Sequence, residues 1–228
     1  MENEHGRHWL VEAPLDEVCR GGANLLDRWA WERSIESSVH TELSALARHV
    51  PRKVVFLDLE TCGLAGAAIF LVGLVHYDAE RLALTQLFAR DYTEEKAVLH
   101  SLWQRTADKR VLVSFNGKSF DWPAVQDRTA LHRLPVKPPT TFVHCDLLHH
   151  ARRRWKGQLP DCRLQTLEQH ICGRRRVGDI LGRDVPHAYH QFVRSGDSGE
   201  IRAILHHNAL DLVTLLQLAM VLVRQPTG

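Results

Sequence analysis

The chain has 228 residues, 44% of them hydrophobic and 25% charged, an ordinary composition for a globular protein with one sizeable domain. Its formal net charge of +2, counted with histidine neutral, excludes a global field that would commit it to nucleic acid, so any basic binding face must be local. Five cysteines, with no Cys-x-x-Cys pair, argue against a disulfide scaffold or a zinc ribbon and for reduced thiols.

Residues 1–50 show no strong strand pattern and read as an N-terminal extension. Its start, Met1-Glu2-Asn3-Glu4-His5, is polar and acidic, unlike a signal peptide. Gly21-Gly22 interrupts it, and Leu43, Leu46, Ala47 and Val50 have helical spacing. Trp9, Trp29 and Trp31 suggest that it packs on something. From residue 51 onward the pattern sharpens into a domain. Lys53–Glu60, Ile69–Tyr77 and Leu82–Ala89 read as strands, the last two joined by the turn-like Asp78-Ala79-Glu80-Arg81. Thr93 is placed as the N-cap of a helix reaching about Ala107, with Glu94 and Glu95 in its first turn. Val111–Phe115 is a short buried strand, Asn116-Gly117 a turn, and about Ser119 to Leu131 a helix. Phe142-Val143-His144 reads as a last short strand. Helices follow at about Leu147–Trp155, Leu164–Cys172, Ala188–Arg194 and Glu200–Arg224. The apolar run Leu215–Val223 is broken by Gln217 and too short to span a bilayer. No membrane association is expected, and the expected location is the cytoplasm. Three adjacent strands, then alternation, then helices predict an α/β fold similar to ribonuclease H. Its mixed five-stranded sheet would have strands 1–3 antiparallel and strands 4–5 parallel, flanked by helices.

Three stretches carry carboxylates. In Phe56-Leu57-Asp58-Leu59-Glu60-Thr61, a strand ends in two acids one residue apart. Alternate strand residues share a face, so the two repel each other and lose hydration unless a cation lies between them. Ser114-Phe115-Asn116-Gly117-Lys118-Ser119-Phe120-Asp121 follows a buried strand and leads into a helix, where open α/β sheets place function. In His206-His207-Asn208-Ala209-Leu210-Asp211, His207 and Asp211 are four apart and share a helix face, whereas His206 points elsewhere if the helix includes it. Asp58, Glu60, Asp121 and Asp211 are hard oxygen donors suited to Mg²⁺ or Mn²⁺. Two such ions ~3.5–4 Å apart would neutralise the acids and clamp a phosphodiester. A neighbouring histidine has a suitable reference pKa, ~6.5, to take a proton from the attacking water.

The three stretches FLDLETCGL, FNGKSFDWP and HHNALDLVTL resemble the three motifs of the DEDD superfamily of 3′-to-5′ exonucleases. The Asn-x-x-x-Phe-Asp spacing of Asn116–Asp121 resembles the proofreading domains of family B DNA polymerases. Similarity to the bacterial YprB-like, ribonuclease-H-like family runs from about Lys53 to Leu222 and includes the segment near Asp179–Val193. The resemblance implies a two-metal exonuclease domain over 51–228 that acts on single-stranded DNA or RNA, with Asp58, Glu60, Asp121 and Asp211 as metal ligands. It makes His207, in the place of a tyrosine, the expected general base, with His206 the alternative. It places Thr61 and Leu64 beside the scissile nucleotide. Asn116 and Lys118, inside the second stretch, are candidate substrate contacts, and Phe120 reads as packing behind Asp121. A non-catalytic binding module or an endonuclease on the same fold are the rival readings.

Other features have two readings. Arg152-Arg153-Arg154-Trp155-Lys156 either grips phosphates or sits at a favourable helix C-terminus. Arg174-Arg175-Arg176 reads as a solvated loop. Asp146 reads as an N-cap, and the Cys/His spacing around Cys145 matches no standard zinc site.

Overall fold

A computed structural model describes residues 1–19, 40–63, 66–135 and 142–224. The strands are β1 (Glu2–Asn3), β2 (Gly6–Arg7), β3 (Trp9–Pro14), β4 (Val54–Thr61), β5 (Ile69–Asp78), β6 (Arg81–Phe88), β7 (Val111–Ser114) and β8 (Val143–Asp146). β1 and β2 form a small hairpin, and the other six form one sheet in the order β3-β6-β5-β4-β7-β8. The five expected strands are present: β4, β5 and β6 pair antiparallel, and β7 runs parallel to β4 and to β8. A sixth strand was not expected: β3 pairs antiparallel with β6, with Trp9 opposite Phe88 and Pro14 opposite Ala83. So part of the first 50 residues extends the sheet at its edge. Asn3 also ties the hairpin down, its Nδ2 donating to Ala97 O at 2.8 Å.

The helices are Leu15–Val18, Thr41–His49, Glu95–Thr106, Asp121–Leu131, Leu147–Trp155, Leu164–Ile171, Val185–Ser195 and Ile201–Arg224. The helix expected from Thr93 is preceded by a 3₁₀ turn, Tyr92–Glu94. Its cap is Asp91 rather than Thr93: Asp91 accepts from the Thr93 backbone N–H at 2.8 Å.

β4 sits between the antiparallel and parallel halves, covered on both faces. Val54 and Phe56 face a cluster with Leu46, Leu212, Leu215 and Leu216. Val55, Leu57 and Leu59 face the opposite cluster with Val98, Leu102, Val125 and Tyr189. Each fully buried side chain of this kind contributes about 1.5–3 kcal/mol. The alternation decides where the site forms. Asp58 and Glu60 continue the face of Val54 and Phe56, which is the face covered by the helix Ile201–Arg224. That helix is long and apolar enough to cross a membrane by composition alone, but most of it is buried in this core.

Candidate active site

Asp58 and Glu60 are held at the end of β4, and the β4–β5 register shifts immediately after Glu60. Asp121 opens the helix Asp121–Leu131. The loop before it is shaped by Asp146, at the end of β8 and fully buried. Its Oδ1 accepts from Asn116 N at 2.8 Å and its Oδ2 from Lys118 N at 3.1 Å. Asp146 also caps the next helix, as expected, accepting from Leu148 N at 3.1 Å. Asn116 takes a left-handed backbone, φ 63°, which Asn tolerates better than most residues. Gly117 is needed for space, because a Cβ there would lie 2.3 Å from Ser114 Oγ and 3.0 Å from Asp121 Oδ2.

Asp211 and His207 project from one face of Ile201–Arg224, with His207 Nε2 3.6 Å from Asp211 Oδ2. His207 is buried and His206 is exposed, so the helix has already begun at His206 and turns it to solvent. The four acids share one electrostatic environment. Burial raises the Asp58 carboxyl well above its usual range, and the charges of Asp211, Glu60 and Asp121 raise it further. Glu60 is pushed to about 8 by burial, then by Asp211 and Asp121. Asp121 is pushed to about 7, chiefly by burial. Asp211 is also raised by burial, against the opposing pull of Arg176 and His207.

Arg176 was expected in a solvated loop, but it is a hub. Its Nε donates to Glu168 Oε2 at 2.7 Å, its Nη1 to Asp179 Oδ2 at 3.0 Å, and its Nη2 to Asp211 Oδ1. Arg174 is likewise bound to Glu168, at 2.5 Å. Only Arg175 of the three is exposed, because both faces of the loop fold onto acids that lie distant in the pattern. Loop segments lack the periodicity that would have revealed this.

Beside Asp58 and Asp211 opens a cleft of ≈ 550 Å³, lined also by Phe115, Asn116, Arg152 and Arg163. Both arginines are exposed. Arg152 therefore shares that cleft with Asp58 and Asp211, whereas Trp155 of the same basic run is in the core. Phe120 does not pack behind Asp121; it is 67% exposed, since it lies in the irregular backbone before the helix, where no periodicity directs it to the core. Lys118 Nζ is engaged by Glu42 Oε1 at 2.6 Å, and Thr61 Oγ1 donates to Gly63 O at 2.8 Å. Leu64 lies outside the described residues.

The donor set fits hard divalent cations. It is all carboxylate oxygen, and the ionised forms are disfavoured first by burial and then by the charges of the neighbouring acids, a cost that a bound cation would offset. Among the described residues, Glu4/His5/His100 and Glu42/Cys145/His150 have ligand atoms all within 4.8 Å of one another. The four carboxylates do not form such a trio; what links them is their mutual electrostatic influence. In the second of those trios Glu42 is already bound by Lys118 and by His150 Nε2 at 2.9 Å.

A family model described as the RNase_H superfamily matches residues 55–223, which span all three motif stretches. The chain belongs to the RNase_H superfamily. It is 38% identical over 168 residues to the uncharacterized protein YprB of Bacillus subtilis (strain 168), a match covering 72% of this chain and 40% of YprB. The matched region is thus well under half of that relative. The fold is also similar to a family B DNA polymerase from the archaeon Pyrobaculum calidifontis. There the TM-score is 0.58 at 15% identity, over 74% of this chain and 24% of the polymerase. That likeness is one of fold. Members of the RNase H-like nuclease group generally use divalent metals, in keeping with the carboxylate set.

Two side chains in contact with the site residues were missed by the sequence reading. Asn208 lies inside the third motif stretch, but nothing in the pattern said that it reaches Asp58. Asp179 is separated from His207 by 28 residues of loop and helix.

Proposed function

We propose that this chain is a metal-dependent 3′-to-5′ exonuclease acting on single-stranded DNA or RNA. The observation that carries the reading is the meeting of Asp58, Glu60, Asp121 and Asp211, from three distant segments, with a buried histidine beside them. Asp58, Glu60, Asp121 and Asp211 would hold two Mg²⁺ or Mn²⁺ ions, which supply charge neutralisation and polarise the scissile phosphodiester. His207 Nε2 takes the proton of the attacking water. Arg152 and Arg163 hold phosphates of the strand in the cleft. Phe120 presents an exposed aromatic face on which a base can stack. The direction of attack rests on the likeness of the motifs to 3′-to-5′ exonucleases.

The test is a product ladder from 5′-labelled single-stranded DNA and RNA, with Mn²⁺, Mg²⁺ or EDTA, beside an Asp58→Ala control. The expected result is metal-dependent shortening from the 3′ end, absent in the control. Cleavage of circular substrates would replace the reading with an endonuclease. Binding without cleavage under every metal would replace it with a binding module.

A further inference from the structure

His207 is flanked on both sides. Its Nε2 faces Asp211, and its Nδ1 lies 2.8 Å from Asp179 Oδ2. Arg176 Nη1 also approaches Nδ1, at 3.5 Å. The two contacts demand opposite tautomers, and distance decides between them. A carboxylate oxygen at 2.8 Å cannot face a nitrogen lone pair, whereas a donor at 3.5 Å is at the limit of hydrogen bonding. Nδ1 therefore carries a proton, and Nε2 is the ring nitrogen turned toward the carboxylates.

Asp179 is itself fixed. Its side chain is 10% exposed, and Arg176 Nη1 donates to the same Oδ2 at 3.0 Å. The guanidinium thus holds Asp179 on one side of the imidazole and Asp211 on the other. Its Oδ1 is buried with no hydrogen-bond partner among the described residues.

We propose that Asp179 is the positioning residue for His207: it holds the ring orientation and the Nδ1–H tautomer, so that Nε2 is the atom that receives the water's proton. This rests on the nuclease reading and on His207 as its base, and Asp179 itself touches no reacting atom. Buried carboxylate–imidazole pairs do this work in other hydrolytic sites by the same physics.

The experiment compares the parent, Asp179→Ala, Asp179→Glu, His207→Ala and the double Asp179→Ala/His207→Ala variant. The first readout is the His207 tautomer, by long-range ¹H–¹⁵N correlation on metal-free protein, with the signal assigned by its loss in His207→Ala. The parent is expected to show Nδ1–H, and Asp179→Ala the Nε2–H form. The second is turnover on the substrate found by the ladder. Asp179→Ala is expected to lower kcat about 10- to 100-fold, part of what a general base contributes, with KM little changed. It is expected to cost nothing further in the His207→Ala background, and Asp179→Glu is expected to recover part of the loss. Arg176 keeps Glu168 and Asp211 in Asp179→Ala, so a cooperative melt is expected. Nδ1–H persisting in Asp179→Ala overturns the proposal. So does an equal loss of kcat with and without His207. If the parent degrades nothing, the nuclease reading falls while the tautomer comparison still decides whether Asp179 sets the ring.

Discussion

Asn208 Nδ2 donates to Asp58 Oδ2 at 2.8 Å, a contact that joins two residues 150 positions apart in the chain. It pins the helix Ile201–Arg224 to the end of β4, so that the acids of the first and third motif stretches are set against each other. Gln86 Nε2 in turn donates to Asn208 Oδ1 at 2.9 Å. The amide is thereby oriented: its oxygen faces Gln86, so its NH₂ must face Asp58. Gly73, opposite Asp58 in β5, leaves the room, because a Cβ there would lie 2.0 Å from Asn208 Oδ1.

Replacing Asn208 by Ala leaves the Gln86 amide short of a buried acceptor. We expect a loss of about 1–3 kcal/mol in urea unfolding, with cleavage reduced because Asp58 is no longer fixed. Gly73→Ala is expected to act on the same contact by displacing the amide. An unchanged urea midpoint in both variants would sink this account of the Asp58 anchor.

Removing one acid separates catalysis from folding. Asp58→Asn, Asp121→Asn and Asp211→Asn should each lose metal-dependent cleavage by at least about 10²-fold, the order expected when an electrostatic stabiliser is removed. None should lower the metal-free melting temperature by much. Asp121→Asn relieves a buried charge, whereas Asp211→Asn also gives up a partner of Arg176 and is expected to be the least stable of the three. Cleavage by Asp121→Asn at the parent rate would refute the four-acid site.

Burial of the acids, and secondarily their mutual charge, sets a pH dependence. The Glu60 carboxyl ordinarily titrates near 4.5 and is pushed to about 8 in the folded protein. Between those values the folded state binds the proton that the unfolded state has lost, so stability falls as pH rises through the window. Metal-free protein is expected to melt highest near the acid end of that window and progressively lower toward pH 8. Adding Mn²⁺ should raise the melting temperature more at the alkaline end, where the carboxylates are ionised. Glu60→Gln is expected to flatten the metal-free slope. Differential scanning fluorimetry across pH, with and without Mn²⁺, reads all three; a slope that Glu60→Gln leaves untouched would move its origin elsewhere.

Much of the site is legible wherever periodicity governs direction. Asp58 and Glu60 had to share a face because strand side chains alternate, and His207 had to lie beside Asp211 because residues four apart on a helix adjoin. Where the backbone is irregular the sequence is silent. Phe120 precedes a helix and points outward, and Arg176 sits in a loop whose partners Glu168 and Asp211 come from two different helices. β3 escaped notice for another reason. As an edge strand it is only half buried, so Trp9 and Val11 stay exposed and no clean alternation marks it.

On the proposed reading, the cleft arginines and the exposed Phe120 would divide substrate grip into a salt-sensitive part and a salt-insensitive part. Arg152 and Arg163 line the space beside Asp58 and Asp211, and as exposed cations they would bind a strand by releasing its counterions, with a slope of about −0.7 per phosphate contact for single strands. Arg152→Ala and Arg163→Ala should therefore raise KM at moderate salt and make log KM depend less steeply on log salt, leaving kcat nearly unchanged. Phe120, 67% exposed beside Asp121, should contribute by stacking, about 1–3 kcal/mol per base. Phe120→Ala should raise KM by a similar factor at every salt concentration, and Phe120→Trp should restore it. KM measured over a salt series separates the two. If Phe120→Ala changes the salt slope while the arginine variants do not, the strand does not run through this cleft.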